Sequence, residues 1–302
     1  MAPSQELTGI LVALATPYKN DQSEVDYDTL DRHINYLIDS GVHGLVPGGS
    51  TGEFTALSDD ERKKVLEQVI ASAKGRVPVV AGVGDLSTSR VIDLAKHAAK
   101  VGAAALMVVP PFYEGPNLQE LRSLLKDVHD ASKLPIVYYN IPGASGVSLT
   151  PIEMAGLSEV GVTHLKDTSG NGPALTQLLF QDSISDKITS FNGWDTLTFH
   201  GLAAGAKGSI WGASNFIPEL SVQLWNAVAV EGDIRKGREI WKKIYPITQV
   251  LESNNYCAAV KIALELTGWK VGGIRKPFAM LEGKPREDLA KALEGAGVKI
   301  VK

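Results

Sequence analysis

The chain has 302 residues, of which 44% are hydrophobic and 21% charged, and a formal net charge of −4. That balance supports a large buried core and excludes a membrane protein, since no stretch reaches the roughly 20 apolar residues of a membrane span. The modest negative charge argues against nucleic acid as the main partner.

In chain order, the N-terminal Met1-Ala-Pro-Ser-Gln-Glu6 has neither a basic region nor an apolar core. It predicts no secretory signal and a cytoplasmic location. Short β-rich apolar runs then recur at 9–17, 44–49, 77–82, 104–110, 135–140, 162–166, 188–193 and 206–212. Between them lie amphipathic segments at 26–40, 59–73, 87–101, 118–131, 151–157, 173–180 and 196–204. Ser58-Asp-Asp-Glu61 has the spacing of a capping box and fixes the start of the second helix. Strands that alternate with helices imply a parallel sheet, and eight such units close into a (β/α)8 barrel. A doubly wound open sheet is the rival architecture.

After the eighth run the alternation stops. Segments 219–230, 234–251, 255–266 and 285–294 read as helices, and 267–277, with Gly268, Gly272, Gly273 and Pro277, reads as a loop. The expected organisation is a catalytic barrel over 1–225 and a C-terminal helical domain over 226–302. Cys257, the single cysteine, excludes an internal disulfide, fits a reducing compartment and reads as a small apolar filler.

In a barrel of this kind the loops after the strands build the active site. Those ends hold many hydroxyls and glycines, one lysine and no histidine. The lysine is Lys166, in Val162-Thr-His-Leu-Lys166-Asp-Thr-Ser-Gly170. A cation at the end of a buried strand is costly unless it is paired or loses its proton, and a neutral amine is a nucleophile suited to a Schiff base. Pairing with Asp167 is the structural alternative. Gly48-Gly-Ser-Thr-Gly-Glu53 combines flexible backbone with the Ser50 and Thr51 hydroxyls and suits a carboxylate guest, while lacking the ending of a nucleotide-phosphate loop. Tyr138 and Tyr139 end the fifth run, and alternation lets one of them face the barrel interior. His164 shares the parity of Lys166 and reads as a structural group below it. The six histidines are scattered without metal-binding spacing, so no metal is expected.

Together, Gly49-Ser-Thr-Gly-Glu53, Tyr139-Asn-Ile-Pro142 and Lys166-Asp-Thr-Ser-Gly170 resemble the dihydrodipicolinate synthase/N-acetylneuraminate lyase family of pyruvate-dependent class I aldolases. The resemblance implies that Lys166 forms a Schiff base with pyruvate, with no added cofactor, and that Tyr139 shuttles protons. It further implies that Gly49, Ser50 and Thr51 form the carboxylate-binding loop, with Thr51 relaying protons to Tyr139. Thr168, Asp195, and the backbone of Gly193 and Ile210 lie near the substrate, and Tyr113 matches a residue that reaches across a subunit interface. A homo-oligomer, dimer or tetramer, is implied as well.

Two departures bear on the acceptor. Ala144 stands where the synthases carry an arginine that clamps aspartate semialdehyde, and a lost guanidinium removes a strong carboxylate contact. The sialate lyases carry an acidic pair where this chain has Asp195 and Thr196. The expected function is therefore an aldolase or lyase that forms or consumes pyruvate, acting on a 2-keto-3-deoxy sugar acid or similar hydroxy-keto acid. The alternatives are a dihydrodipicolinate synthase, a dehydratase using the same lysine, a metal-dependent aldolase, and a barrel that binds a sugar acid without reacting.

Overall fold

A computed structural model describes residues 6–301. The eight strands are β1 Gly9–Ala13, β2 Gly44–Val46, β3 Val80–Gly82, β4 Ala105–Val108, β5 Ile136–Asn140, β6 Val162–Asp167, β7 Thr189–Asn192 and β8 Gly208–Trp211. They form one parallel sheet in the order β2-β1-β8-β7-β6-β5-β4-β3. A parallel bridge between Leu45 and Val79 joins its two edges, and Gly82 N donates to Pro47 O at 2.9 Å across the same seam. The sheet is therefore a barrel, which removes the open-sheet alternative.

Most strands are shorter than the apolar runs that announce them. In the first run the strand stops at Ala13, while Leu14, Ala15 and Thr16 stay buried in the loop beyond it. Alternation along each strand separates two cores. Leu11, Ala13, Met107, Val137, Tyr139, Phe191 and Ile210 fill the barrel. Val12, Leu106, Tyr138 and Leu165 face outward against the helices.

The Asp59–Ala73 helix opens on the expected box, with Ser58 Oγ accepting from Glu61 N and the Glu61 carboxylate accepting from Ser58 N. The helix predicted over 196–204 is split into a 3-10 turn, Asp195–Leu197, and the helix Thr198–Ala203. The one predicted over 219–230 is Pro218–Trp225 continued by a π turn, Asn226–Val230. Short elements at Ser50–Gly52, Pro142–Ser145 and Asp182–Ser185 escape the pattern because three or four residues carry no period.

Beyond the barrel, Ile234–Glu252, Tyr256–Leu266 and Lys284–Gly295 share an apolar core with Ile10 of β1 and Trp211 of β8. This contact brings the first turn of the Tyr256–Leu266 helix onto the mouth of the barrel. No helix among the described residues is long and apolar enough to cross a membrane.

Candidate active site

Strands β5 and β6 pair in a register that sets Tyr139 beside Lys166 and Asn140 beside Asp167. The first pair points into the barrel and the second away from it. Asp167 accepts from Asn140 Nδ2 at 2.7 Å, from Ser169 N at 3.2 Å and from Ser169 Oγ at 3.1 Å, so its charge is spent on the turn. Burial raises its carboxyl above the usual range. The Asp167 alternative for Lys166 therefore fails on strand parity.

Lys166 is 5% exposed, and its side-chain amine makes no ion pair or hydrogen bond among the described residues. Its Nζ lies 4.1 Å from the centroid of the Tyr139 ring. Gly193 opens the space for it: a Cβ there would stand 2.8 Å from Lys166 Cε and 2.2 Å from Thr168 Oγ1. His164, two residues below, packs on Phe191 and bonds Thr163, a structural role as expected.

Facing the lysine, Ser50–Gly52 forms a tight turn between Gly49 and Glu53. The carbonyls of this loop are occupied from outside: Thr16 Oγ1 donates to Gly52 O at 2.8 Å, and the Cys257 thiol donates to Ser50 O at 2.9 Å. The N–H groups of Ser50 and Thr51 find no acceptor among the described residues. Two free amides with two hydroxyls beside them make an anion nest. No direct hydrogen bond joins Thr51 Oγ1 to Tyr139 Oη, so the two hydroxyls implied to form a relay are not in direct contact.

The cavity between these groups has a volume of about 240 Å³. Eight of the expected residues line it: Lys166, Tyr139, Ser50, Thr51, Thr168, Gly193, Asp195 and Ile210. Gly49 stays behind the turn as its N-cap. Tyr113 does not join the lining and is 86% exposed. Ala144 sits exposed on the Pro142–Ser145 helix, also outside the lining.

The far wall corrects two expectations. Cys257 lines the cavity rather than filling core, and burial pushes its thiol up to about 12. The second carboxylate that Thr196 cannot supply comes instead from Glu252, at the end of the Ile234–Glu252 helix. Glu252 accepts from Thr196 N at 3.0 Å and from Thr196 Oγ1 at 2.8 Å, and it lines the cavity with Asp195. Tyr256 Oη donates to Asp195 Oδ2 at 2.7 Å and accepts from Gly212 N at 3.0 Å. A Cβ at Gly212 would meet that hydroxyl at 2.7 Å, so this position needs glycine. Burial drives the Asp195 carboxyl up to about 7; the Tyr256 bond opposes this and Glu252 adds to it. Lys166 is the one cationic side chain in the lining among the described residues.

Glu252, Tyr256 and Cys257 escape a search of strand ends because they come from helices. The one sequence signal is for Cys257, which falls one turn before Lys261 in the mostly apolar Tyr256–Leu266 helix.

Residues 6–296 match the family model described as the dihydrodipicolinate synthetase family. The chain belongs to that family. It is 36% identical over 292 residues to the 4-hydroxy-tetrahydrodipicolinate synthase of Methanocaldococcus jannaschii, covering 96% of this chain and 99% of the relative. It superimposes on the chloride-inhibited dihydrodipicolinate synthase from Acinetobacter baumannii, solved with pyruvate, at a TM-score of 0.92 and 32% identity, over 97% of this chain and 100% of the other. YagE, a prophage protein of the same family from E. coli K12 and also solved with pyruvate, gives a TM-score of 0.90 at 28% identity, over 97% and 99%. This family member is thus a carbon–carbon lyase of the lysine Schiff-base class, which requires no added cofactor. The relatives' names favour the synthase over the sugar-acid lyase, the reverse of the order that the sequence suggests.

Proposed function

We propose that Lys166 attacks the keto carbon of pyruvate, expels water and holds the iminium while the Ser50–Thr51 nest grips the carboxylate. The iminium draws electrons from the methyl carbon, a proton leaves, and the resulting enamine adds to an aldehyde. Tyr139, beside the amine, carries protons to and from the intermediate and the acceptor oxygen. Cleavage of a hydroxy-keto acid runs the same steps backwards and releases pyruvate. The observation that carries this reading is an unpaired lysine amine over a tyrosine ring, opposite a nest of free amides. Reduction with borohydride in the presence of pyruvate, followed by peptide mass mapping, should label Lys166. A label elsewhere, or none, overturns it; Lys207, paired with Glu6 below β8, is the control.

For the acceptor, two observations pull apart. The names of the relatives favour aspartate semialdehyde. The lining favours a hydroxylated partner such as a 2-keto-3-deoxy sugar acid, because the far wall offers Asp195, Glu252 and Tyr256 and, Lys166 apart, no cation among the described residues to clamp a carboxylate. Turnover of pyruvate with the semialdehyde and with hydroxyaldehydes, measured side by side, decides between them. The exposed Tyr113 and the family favour a homo-oligomer, and the single cysteine favours a reducing, cytoplasmic setting.

A further inference from the structure

Behind the anion nest lies a buried ion pair that no step above uses. Glu53 closes the Ser50–Gly52 turn with φ at 56°, a left-handed backbone that side-chain-bearing residues rarely adopt. Its carboxylate meets Lys261 Nζ at 2.6 Å, with the two side chains 3% and 0% exposed. The other carboxylate oxygen accepts from Arg275 N at 3.0 Å. Lys261 stands in the middle of the Tyr256–Leu266 helix, donates to Gly273 O at 2.6 Å and lies 3.9 Å from the centroid of the Tyr18 ring. One turn earlier on that helix, Cys257 holds the carbonyl of Ser50. Both ends of the nest, Ser50 and Glu53, are therefore tied to one helix of the C-terminal region.

Taking two ions out of water is a poor way to gain stability, since apolar residues of the same shape serve as well or better. What an apolar pair lacks is direction. The carboxylate of Glu53 is held from two sides, which fixes the strained residue and with it the aim of the two amides before it.

We propose that Lys261 and Glu53 are positioning residues for the carboxylate grip: their ion pair holds the Ser50–Thr51 amides and hydroxyls at the angle from which they press a 2-oxo acid against Lys166. This rests on the reading that the Ser50–Thr51 nest holds the substrate carboxylate. Lys261 lies outside the cavity lining and acts through the loop, not on the substrate.

The test uses the near-isosteric, uncharged double variant Lys261→Met/Glu53→Gln, and Glu53→Gln alone. The single variant keeps an acceptor for Arg275 N, and burial has already drawn the Lys261 ammonium down to about 8, so the amine can shed its proton and the chain can fold. Melting temperature, kcat, KM for pyruvate and KM for the second substrate are measured on parent and variants. The expected result is melting near the parent's, kcat within a few-fold, KM for pyruvate raised roughly tenfold and KM for the second substrate unchanged. A variant that melts like the parent and keeps its KM for pyruvate overturns the proposal. So does a variant whose melting temperature and kcat fall together at constant KM, which marks a merely structural pair. Borohydride labelling of Lys166 at saturating pyruvate is run in parallel; its absence in the parent defeats the Schiff-base reading, whereas labelling with unchanged KM defeats this one alone.

Discussion

Replacing Asp195 with asparagine should stabilise the folded chain at neutral and alkaline pH and give progressively less in acid. Burial raises this carboxyl from its ordinary 3.8 to about 7. The folded chain therefore keeps a proton that the unfolded chain has released, and stability falls as pH rises through that window. The full stability is present below about 3.8 and the penalty is complete above about 7. At roughly 1.4 kcal/mol per pH unit, the ceiling is about 4 kcal/mol. Asparagine keeps the volume and still accepts from the Tyr256 hydroxyl, which donates to Asp195 at 2.7 Å. Thermal or urea unfolding of both proteins from about pH 5 to about pH 8 should show the gap in favour of Asp195→Asn growing by roughly 2–3 kcal/mol. A gap that stays constant with pH would refute the reasoning, because it would mean that the buried carboxylate is fully compensated where it lies.

Tyr139→Phe preserves the ring beside Lys166 and its packing in the barrel. Turnover should fall roughly 10²–10⁴-fold with the circular dichroism spectrum unchanged, and near-normal turnover would remove this hydroxyl from the mechanism. Ala144→Arg places a guanidinium at an exposed position on the Pro142–Ser145 helix, so the fold should not suffer. Its kcat/KM for aspartate semialdehyde should rise about tenfold to a hundredfold, the worth of one charge-assisted bond; a parent that already prefers the semialdehyde would show that the clamp lies elsewhere.

The barrel was legible because each of its units repeats a strong local signal, an apolar run followed by a helical period. Lys166 was legible for a related reason: strand ends are few, and one lysine among them stands out. Strand parity alone requires that Tyr138 and Tyr139 face opposite ways without saying which is inward; the family resemblance points to Tyr139, and the two cores divide accordingly. Glu252 and Tyr256 were illegible by the same logic. They sit about sixty residues beyond the strand-end loops they touch, and no local pattern encodes that Thr196 will bond Glu252 or that Asp195 will bond Tyr256. Reading Thr196 as a missing carboxylate was sound for the loop and wrong for the cavity, since tertiary packing supplied the group from another element. Lys261 offers a clue of its own: a cation centred in a mostly apolar helix must find a buried partner.

The two ends of the cavity have separate origins in the chain. The lysine and the tyrosine stand near the ends of β6 and β5 and the nest follows β2, whereas Glu252, Tyr256 and Cys257 of the opposite wall are carried by the helices that follow the barrel. On the proposed function, mutation in those helices can therefore exchange one aldehyde partner for another while the enamine-forming half is left intact. Proteins that share every strand-end motif with this chain can then serve different metabolic ends. On the proposed function, substitutions at residues 252 and 256 change the second substrate without touching those motifs.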